Sequence, residues 1–415
     1  MGSPVDGCGV PSKTNLVEKM KVAVVSRCSQ VFPHIRGGAD LTAVEYALSL
    51  ACDNESVIFV GRGQLKIHSK NLKFVNISSL IRINSKSQVM YYLKAFILVL
   101  WATFSAFVTI RKEKPEVVYT FSSFTTIILK KLFKGLPIVY TVVDPIYPVE
   151  RRASIELLVR HFNNWIMERI AVDLSDKIIA ISKDVKQQII DLGVSRDKIS
   201  VLYPMPSPFL KGESLLTSHS SLRDIVDKPY VLSVGSQMGR KRFDILIEAT
   251  KYLDNNLRLV LVGNGSQRRC LETMVSLHGL SDRVRFMDGV DDSTLATLYE
   301  NSQMFVLVSE REGFPISMVE AATHGSLVLY FNPNMRLSEN YSDSFLIFPN
   351  ISPIFIAQRI NEHLAKRTGG EDNKNKNANW AKTFFSTDEK MRMELTIINQ
   401  TVKGRKVKSV PTNNS

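Results

Sequence analysis

The sequence predicts an α/β protein built from two doubly wound, Rossmann-like domains that face one another across a cleft. The chain has 415 residues, which is too long for one ordinary hydrophobic core and typical of two domains. Short apolar runs alternate with helix-length segments, and unbroken apolar runs are typical of parallel strands that are covered on both faces. Between two such series, residues 204–229 are rich in Pro and Ser, as expected of a linker.

The first series predicts an N-terminal domain over residues 20–205. Its opening strand, KVAVVS (21–26), precedes a turn containing Gly37 and Gly38 and then the helical pattern LTAVEYALSLA. Glycine in such a turn allows close approach of the backbone to a ligand, although a bare turn would use the same residues. Further strands are predicted at 56–61, 73–78, 116–121, 137–144, 177–182 and 199–204, with helices at 95–110, near 124–133 and across 150–172.

A linker at 206–228 leads to a second predicted domain at 229–375. Five apolar runs in this domain predict strands at 230–235, 258–263, 283–289, 304–309 and 326–332. A polar gap then precedes a last helix at about 380–402. Residues 1–19 lack the apolar region of a signal peptide, and both they and the basic tail 403–415 are expected to be disordered.

The charge is concentrated in the first half of the chain. The net charge is +13, and residues 1–210 hold 27 Lys+Arg against 17 Asp+Glu. No nucleic-acid-binding motif accompanies this excess, so nucleic acid is not expected, and an anionic membrane surface is the favoured partner. The four cysteines lack metal-ligand or disulfide-framework spacing, which suits a reducing compartment. We therefore expect a cytoplasmic protein, peripheral on the inner membrane face.

The segment AFILVLWATFSAFVTI, residues 95–110, carries no charge and is bounded by basic residues. Its length lies between that of a buried helix and that of a membrane span. Three interpretations stay open: a core helix, a span, or a helix that lies in one leaflet beside basic residues. A span is disfavoured because strands on both sides of the segment belong to one predicted sheet.

Glu312 and Glu320 are separated by seven residues, with Gly-Phe-Pro directly after the first. One continuous helix would place positions eight apart about 80° from each other, so a shared helical face does not explain the spacing. A strand ending at Ser309, followed by a turn and a helix that begins at Pro315, does explain it. Free backbone N–H groups at this helix start would form an anion site that suits a diphosphate; they belong to Phe314, Ile316 and Ser317.

These motifs identify a resemblance. From about residue 20 to 400 the chain resembles a GT-B glycosyltransferase, and its C-terminal half is similar to the retaining transferases that carry a Glu-x7-Glu motif. The matching segments are VGSQMGRKRFDILIEA (234–249), LVLVGNGSQ (259–267), RVRFMDGV (283–290) and EGFPISMVEA (312–321). The resemblance implies that Glu312 contacts hydroxyls of the donor sugar and that Glu320 binds the ribose hydroxyls of the nucleotide. Between them, Gly313, Phe314, Pro315 and Ile316 would line the donor site.

The resemblance also assigns the cations of the site. Lys241 stands six residues after Gly235, where the family has a lysine that binds the donor diphosphate. The family's usual arginine is replaced by Ser236, and either Arg240 or Arg242 is expected to supply the missing charge. Two cations opposite a helix N-terminus would stabilise the leaving nucleoside diphosphate, so no metal and no cofactor are expected.

Further donor contacts are implied at three loops. Gly263 and Asn264 form a close-approach turn in the region that flanks the nucleotide base in the family, and the Gly37–Gly38 loop would lie beneath the donor phosphates. In YTVVD (140–144), Asp144 is retained as a candidate catalytic residue, whereas Val143 replaces the histidine of many relatives. The resemblance further implies domain closure on donor binding and a last helix that crosses back onto the N-terminal domain.

The expected function is retaining transfer of a sugar from a UDP- or GDP-sugar to a lipid-linked saccharide or glycan acceptor. An alternative is a subunit of the same fold that binds a nucleotide sugar or a partner protein without turnover, which Val143 and Ser236 would favour. The oligomeric state is not predicted.

Overall fold

The protein is described here from a computed structural model. The structure describes residues 20–26, 38–52, 56–62, 70–77, 88–144, 155–206, 220–288, 290–310, 312–333, 345–365, 378–379, 381 and 387–408. The chain divides into two compact units. The first comprises Met1–Leu202 together with Thr387–Ser415, and the second comprises Tyr203–Ser386.

The first unit contains a seven-stranded parallel sheet in the order β3-β2-β1-β4-β5-β6-β7. Buried Val and Ile residues dominate the inner strands, as parallel strands covered on both faces require. The strands are β1 (Lys21–Val25), β2 (Ser56–Gly61), β3 (Leu72–Asn76), β4 (Val117–Thr120), β5 (Ile138–Val142), β6 (Lys177–Ala180) and β7 (Ile199–Val201). The helices are α1 (Gly38–Cys52), α2 (Gln88–Glu113), α3 (Ser123–Leu132), α4 (Ile155–Leu174) and α5 (Lys183–Asp191).

The second unit repeats this architecture with a six-stranded parallel sheet in the order β10-β9-β8-β11-β12-β13. Its strands are β8 (Tyr230–Val234), β9 (Arg258–Val262), β10 (Val284–Met287), β11 (Met304–Val308), β12 (Val328–Phe331) and β13 (Phe345–Phe348). Its helices are α6 (Ser220–Val226), α7 (Phe243–Ala249), α8 (Arg268–Leu277), α9 (Asp292–Asn301), α10 (Ile316–Thr323) and α11 (Pro353–Ala365). The two doubly wound domains that the sequence predicts are thereby confirmed.

Three details differ from the sequence-based prediction. Strand β13 was not predicted, because its apolar run is only four residues long and follows a polar stretch. Helix α6 lies inside the expected linker 206–228, where Leu222 is buried. The last helix, α12 (Thr387–Lys408), begins later than 380 and continues to Lys408, so the disorder expected from residue 403 is wrong for that part of the tail. The expected extension 1–19 lies outside the described residues.

Helix α12 packs within the first unit. Lys390 forms an ion pair with Glu45 of α1, and its ammonium lies 4.7 Å from the centroid of the Tyr46 ring. Both Lys390 and Glu394 are buried. Burial lowers the pKa of Lys390 to about 7, against the opposing effect of Glu394. Helix α12 is thus joined to α1 through buried charge.

The apolar segment 95–110 forms most of α2, which is 26 residues long. One side of the helix packs on the sheet through Ala102, Ala106 and Ile110. Among the helices that the structure describes, none combines the length and the hydropathy of a membrane span.

Candidate active site

The candidate site lies where the strand order of the second sheet reverses. Strands β8 and β11 are neighbours in the sheet but not in sequence, because β9 and β10 extend in one direction from β8 and β12 and β13 extend in the other. Ligands of open α/β sheets bind outside the carboxyl ends of the strands at such a point. The loops that follow β8 and β11 hold Lys241 and Glu312.

The loop after β8 is held in place by the loop after β9. The Gly263 carbonyl accepts a hydrogen bond from Gln237 Nε2 at 2.8 Å, and the Gln237 N–H donates to the Asn264 carbonyl at 3.0 Å. Gly263 has φ +125°, and a Cβ there would lie 2.1 Å from the Gly235 carbonyl oxygen. Glycine at 263 is therefore required by the contact between the two loops.

Glu312 lies between two cations. Its Oε1 is 2.6 Å from Lys241 Nζ, and its Oε2 is 3.1 Å from an Arg240 guanidinium nitrogen. The Glu312 and Lys241 side chains are only 7% and 9% exposed, whereas that of Arg240 is 41% exposed. Ser309 Oγ donates a hydrogen bond to Glu312 Oε1 at 2.7 Å, which is the third contact of this carboxylate. The motif glutamate and the predicted diphosphate lysine are thus brought into direct contact.

In this cluster the two cations stabilise the ionised form of Glu312, and the Glu312 carboxylate stabilises the charged form of Lys241. Burial opposes ionisation of Glu312, but Lys241 and Arg240 outweigh it and hold the pKa of the carboxyl below its ordinary value. Burial lowers the pKa of Lys241, while the neighbouring Glu312 carboxylate acts in the opposite direction. A buried carboxylate with its pKa lowered by two cations is ionised at neutral pH.

The two candidate arginines differ in their contacts. Arg240 reaches Glu312, whereas Arg242 forms ion pairs with Asp244 at 2.9 Å and with Glu310 at 2.5 Å. Arg242 has φ +42° and is the N-cap residue of α7, and its side chain is held by Asp244 and Glu310. Arg240 is therefore the better placed of the two to supply the second cation.

The turn after β11 corrects the expected start of the following helix. Helix α10 begins at Ile316, with Pro315 as its N-cap residue, so Pro315 is not the first helical residue. The Ile316 N–H donates to the Phe314 carbonyl at 3.1 Å, and it is therefore not one of the free groups that were expected to bind an anion. Phe314 is buried, its ring 5.6 Å from that of Tyr203, and Gly313 connects it to Glu312.

Glu320 lies one turn into α10 and is buried. Tyr299 of α9 donates a hydrogen bond from its hydroxyl to Glu320 Oε2 at 3.0 Å. The Tyr299 ring stacks on His324, whose Nδ1 lies 2.8 Å from the Glu320 carbonyl oxygen. Tyr299 therefore holds the Glu320 carboxylate, and His324 contacts the backbone of the same residue.

The loop after β9 carries polar groups beside β10. Asn264 Nδ2 donates to Asp288 at 3.0 Å, and Arg268 contacts the same carboxylate at 2.5 Å. The Arg268 guanidinium lies 4.4 Å from the centroid of the Phe286 ring. The turn expected to flank a nucleotide base, at Gly263–Asn264, thus contacts Asp288 directly after β10.

The remaining predicted residues belong to the first unit. Asp144 is exposed and follows β5, and Val143 beside it is half-buried. Gly38 is the first residue of α1, and Gly37 lies outside the described residues. In the part of the chain that the structure describes, no three His, Cys, Asp or Glu side chains form a group that could hold a metal ion.

Sequence reasoning missed Ser309, Gln237 and Tyr299. Ser309 ends the apolar run of β11, so a small polar residue at the carboxyl end of a strand was the available signal. The sequence contains no comparable signal for Gln237 and Tyr299, because their hydrogen-bond partners lie 21 or more positions away in the chain.

Comparison with known proteins identifies the family. The model of the family "Glycosyl transferases group 1" matches residues 217–383, and that of "Glycosyltransferase Family 4" matches residues 37–205. The chain belongs to the glycosyltransferases of the GT-B fold.

Individual relatives agree with this assignment. An uncharacterized glycosyltransferase of Haemophilus influenzae is 25% identical over 76% of this chain and 83% of its own length. The UDP-Gal:alpha-D-GlcNAc-diphosphoundecaprenol alpha-1,3-galactosyltransferase of Escherichia coli is 28% identical over 61% of this chain and 67% of its own. Matches to three further curated relatives span less than half the length of those proteins. The crystal structure of Anabaena HepE in complex with UDP-glucose covers 92% of this glycosyltransferase and 100% of HepE at a TM-score of 0.66 and 17% identity, a likeness of fold.

Proposed function

We propose that this glycosyltransferase transfers a sugar from a nucleoside-diphosphate sugar to a lipid-linked saccharide or glycan acceptor, with retention of anomeric configuration and without a metal. The observation that carries the proposal is the buried Glu312 carboxylate between Lys241 and Arg240 at the switch point of the second sheet. The galactosyltransferase of Escherichia coli named above, which uses UDP-Gal, supports a UDP-sugar donor. A GDP-sugar is the other candidate from the sequence.

The two cations would bind the donor diphosphate. A diphosphate that approaches Lys241 and Arg240 competes with Glu312 for their N–H donors, and the carboxylate then becomes available to accept hydrogen bonds from sugar hydroxyls. Negative charge grows on the diphosphate as the glycosidic bond breaks. Fixed cations in a water-poor site stabilise that charge without reorganisation, which is how they would accelerate the transfer.

Glu320 would hold the nucleotide. Its Oε2 accepts from Tyr299, and a carboxylate has capacity for further donors, such as the paired hydroxyls of a ribose. Because Glu312 precedes α10 and Glu320 lies within it, the two carboxylates would contact the sugar and the nucleoside on either side of the diphosphate.

We place the acceptor at the cytoplasmic face of a membrane. The excess of Lys and Arg in residues 1–210 favours an anionic surface. The name of a second relative, the lipopolysaccharide core biosynthesis glycosyltransferase LpsE of Rhizobium meliloti, supports a glycan or lipid-linked acceptor of this kind.

The test is release of nucleoside diphosphate from a panel of UDP- and GDP-sugars, with and without a membrane lipid extract. We expect release from one donor that rises with lipid and is lost in Glu312→Ala and in Lys241→Ala. Glu310→Ala is the matched control, since Glu310 is two residues from Glu312 but pairs with Arg242. No release from any donor, together with a donor that still raises the melting temperature, would favour the binding-subunit alternative.

A further inference from the structure

One face of α2 is apolar and exposed to solvent. Its side chains are 41–56% exposed, and we call them the apolar face: Phe96, Ile97, Leu100, Trp101, Phe104 and Val108. At 100° per residue these six positions fall within an arc of about 140°. Among the described residues, fourteen large hydrophobic side chains are at least 36% exposed, and six of them lie on this one helix.

The hydroxyl groups of the same segment lie off this arc. Thr103 and Thr109 are buried on the protein side, where Thr103 Oγ1 lies 3.0 Å from Thr125 Oγ1 and Thr109 Oγ1 donates to the Ser105 carbonyl at 2.7 Å. A helix on an aqueous surface carries its polar residues outward. The distribution on α2 is the reverse, which is expected where the outward face meets an apolar phase.

Exposed cations border the apolar face at one end. We call them the basic end: Arg111, Lys112, Lys114, Lys131 and Lys134. The ends of α2 and α3 are held together by Phe107 and Phe133, whose ring centroids are 5.5 Å apart. Leu132 of α3 adds a further apolar side chain, 56% exposed, among these cations.

The two carboxylates nearest the basic end both contact residues of the sheet, although Glu116 is itself exposed. Glu113 is the one acidic residue of α2, and it pairs with Lys21 at 2.8 Å and with Lys73. Glu116 accepts a hydrogen bond from the Lys21 backbone N–H at 3.1 Å. The outward charge at this end of α2 is therefore positive.

We propose that the apolar face and the basic end together form a membrane-docking surface, with α2 lying in the interface of a bilayer that contains anionic lipids. The apolar side chains would enter the acyl boundary while the cations meet the head groups, which is the arrangement of interfacial helices. An anionic bilayer matches both parts of this surface, since its acyl chains are complementary to the apolar face and its head groups to the basic end. The inference rests on the proposed function, since a lipid-linked acceptor makes such docking useful.

The test is co-sedimentation of the full-length chain with vesicles of equal amounts of phosphatidylcholine and phosphatidylglycerol, compared with phosphatidylcholine alone. We expect binding to the anionic vesicles that weakens with salt. Replacement of Arg111 and Lys112 by Gln is expected to weaken partitioning about fivefold for each cation removed. Trp101→Ser with Phe104→Ser is expected to weaken it more than about tenfold.

Leu277→Ser is the matched control, because Leu277 is 80% exposed but lies on α8 of the second unit. Trp101 fluorescence, obtained as the difference between the wild type and Trp101→Phe, is expected to shift to shorter wavelength with anionic vesicles. Absence of vesicle binding, or binding unchanged in both multiple variants, overturns the proposal. The proposal is also overturned if the wild type is a dimer that does not bind vesicles and that becomes a monomer when Trp101 and Phe104 are both replaced by Ser.

Release of nucleoside diphosphate without lipid distinguishes this inference from the proposed function. Release that persists while vesicles are not bound refutes the docking surface and leaves the proposed reaction standing. Vesicle binding that the two variants abolish, in a chain that releases nucleoside diphosphate from no donor, supports the docking surface and refutes the reaction.

Discussion

Removal of the Glu312 carboxylate should destabilise the second unit and should make that loss reversible by an anion. Glu312→Ala leaves Lys241 buried beside Arg240 with its nearest carboxylate removed. Breaking a buried ion pair costs about 3–5 kcal/mol. Arg240 is 41% exposed and regains solvent, so we expect the lower end, about 3 kcal/mol. In a unit of this length that loss lowers the melting temperature by about 6–12 °C.

Pyrophosphate should restore stability to this variant. The two cations retain their positions on the Gly235–Arg242 loop, and an anion bound at about 100 times its Kd returns about 2.7 kcal/mol. In the wild type the anion must first displace Glu312, so the same concentration should raise the melting temperature less.

The assay is differential scanning calorimetry of the full chain over a pyrophosphate titration, with Glu310→Ala as the matched control. Glu310 has a half-exposed side chain, and its loss should change the melting temperature little. Equal melting temperatures for Glu312→Ala and the wild type would contradict the expected loss of stability. The reasoning is equally refuted if pyrophosphate stabilises the variant no more than the wild type.

Three further substitutions and one chelation test other parts of the account. Gly263→Ala should cost about 2 kcal/mol or more in urea denaturation, because φ is positive and a Cβ would meet a carbonyl oxygen; an unchanged midpoint would contradict this. Tyr299→Phe should raise the KM for the donor severalfold with kcat little changed, because Glu320 loses the donor that fixes it; a fall in kcat alone would argue against that role. Hydrogen bonds from Lys21 and Lys73 lower the pKa of Glu113 to about 2, so its stabilising effect is full above about pH 4.5 and is lost as the pH falls toward 2. In Glu113→Gln the urea midpoint should therefore fall less steeply with decreasing pH over that interval than in the wild type, and an equal pH dependence in the two proteins would exclude the contribution. Activity should survive EDTA, and loss that Mg²⁺ restores would disprove metal independence.

Much of the fold could be predicted because the strands are continuous apolar runs. All seven strands predicted in the first domain and all five predicted in the second are present, and the second sheet has a sixth. The division between the units, at Leu202 and Tyr203, lies just before the Pro- and Ser-rich stretch 204–229. The missed strand, β13, is short and lies at a sheet edge, where three of its four residues are only partly buried. A half-buried edge strand leaves a weaker apolar signal than a central strand.

The sequence indicates candidate site residues through the spacing of its motifs, but it does not indicate which of them contact each other. Glu312, Glu320 and Lys241 are candidates because their positions match the motifs of the family that the chain resembles, and their roles in donor binding stay predictions. Arg240 and Arg242 could not be separated by sequence, because their difference depends on Glu310 and Asp244, which take Arg242 away from Glu312. The need for glycine at 263 is likewise a tertiary contact, set by a carbonyl 28 positions earlier in the chain.

Calorimetric titration of UDP and GDP into the wild type, Lys241→Met and Glu310→Gln would measure directly whether the candidate site binds a nucleoside diphosphate. The central claim is that the cations beside Glu312 bind the diphosphate of the donor. It predicts one binding site for one of the two nucleotides. Affinity should fall about tenfold or more in Lys241→Met, since a charge-assisted hydrogen bond contributes about 1.5–3 kcal/mol, and Glu310→Gln should match the wild type. Equal affinity in the wild type and Lys241→Met would contradict the claim.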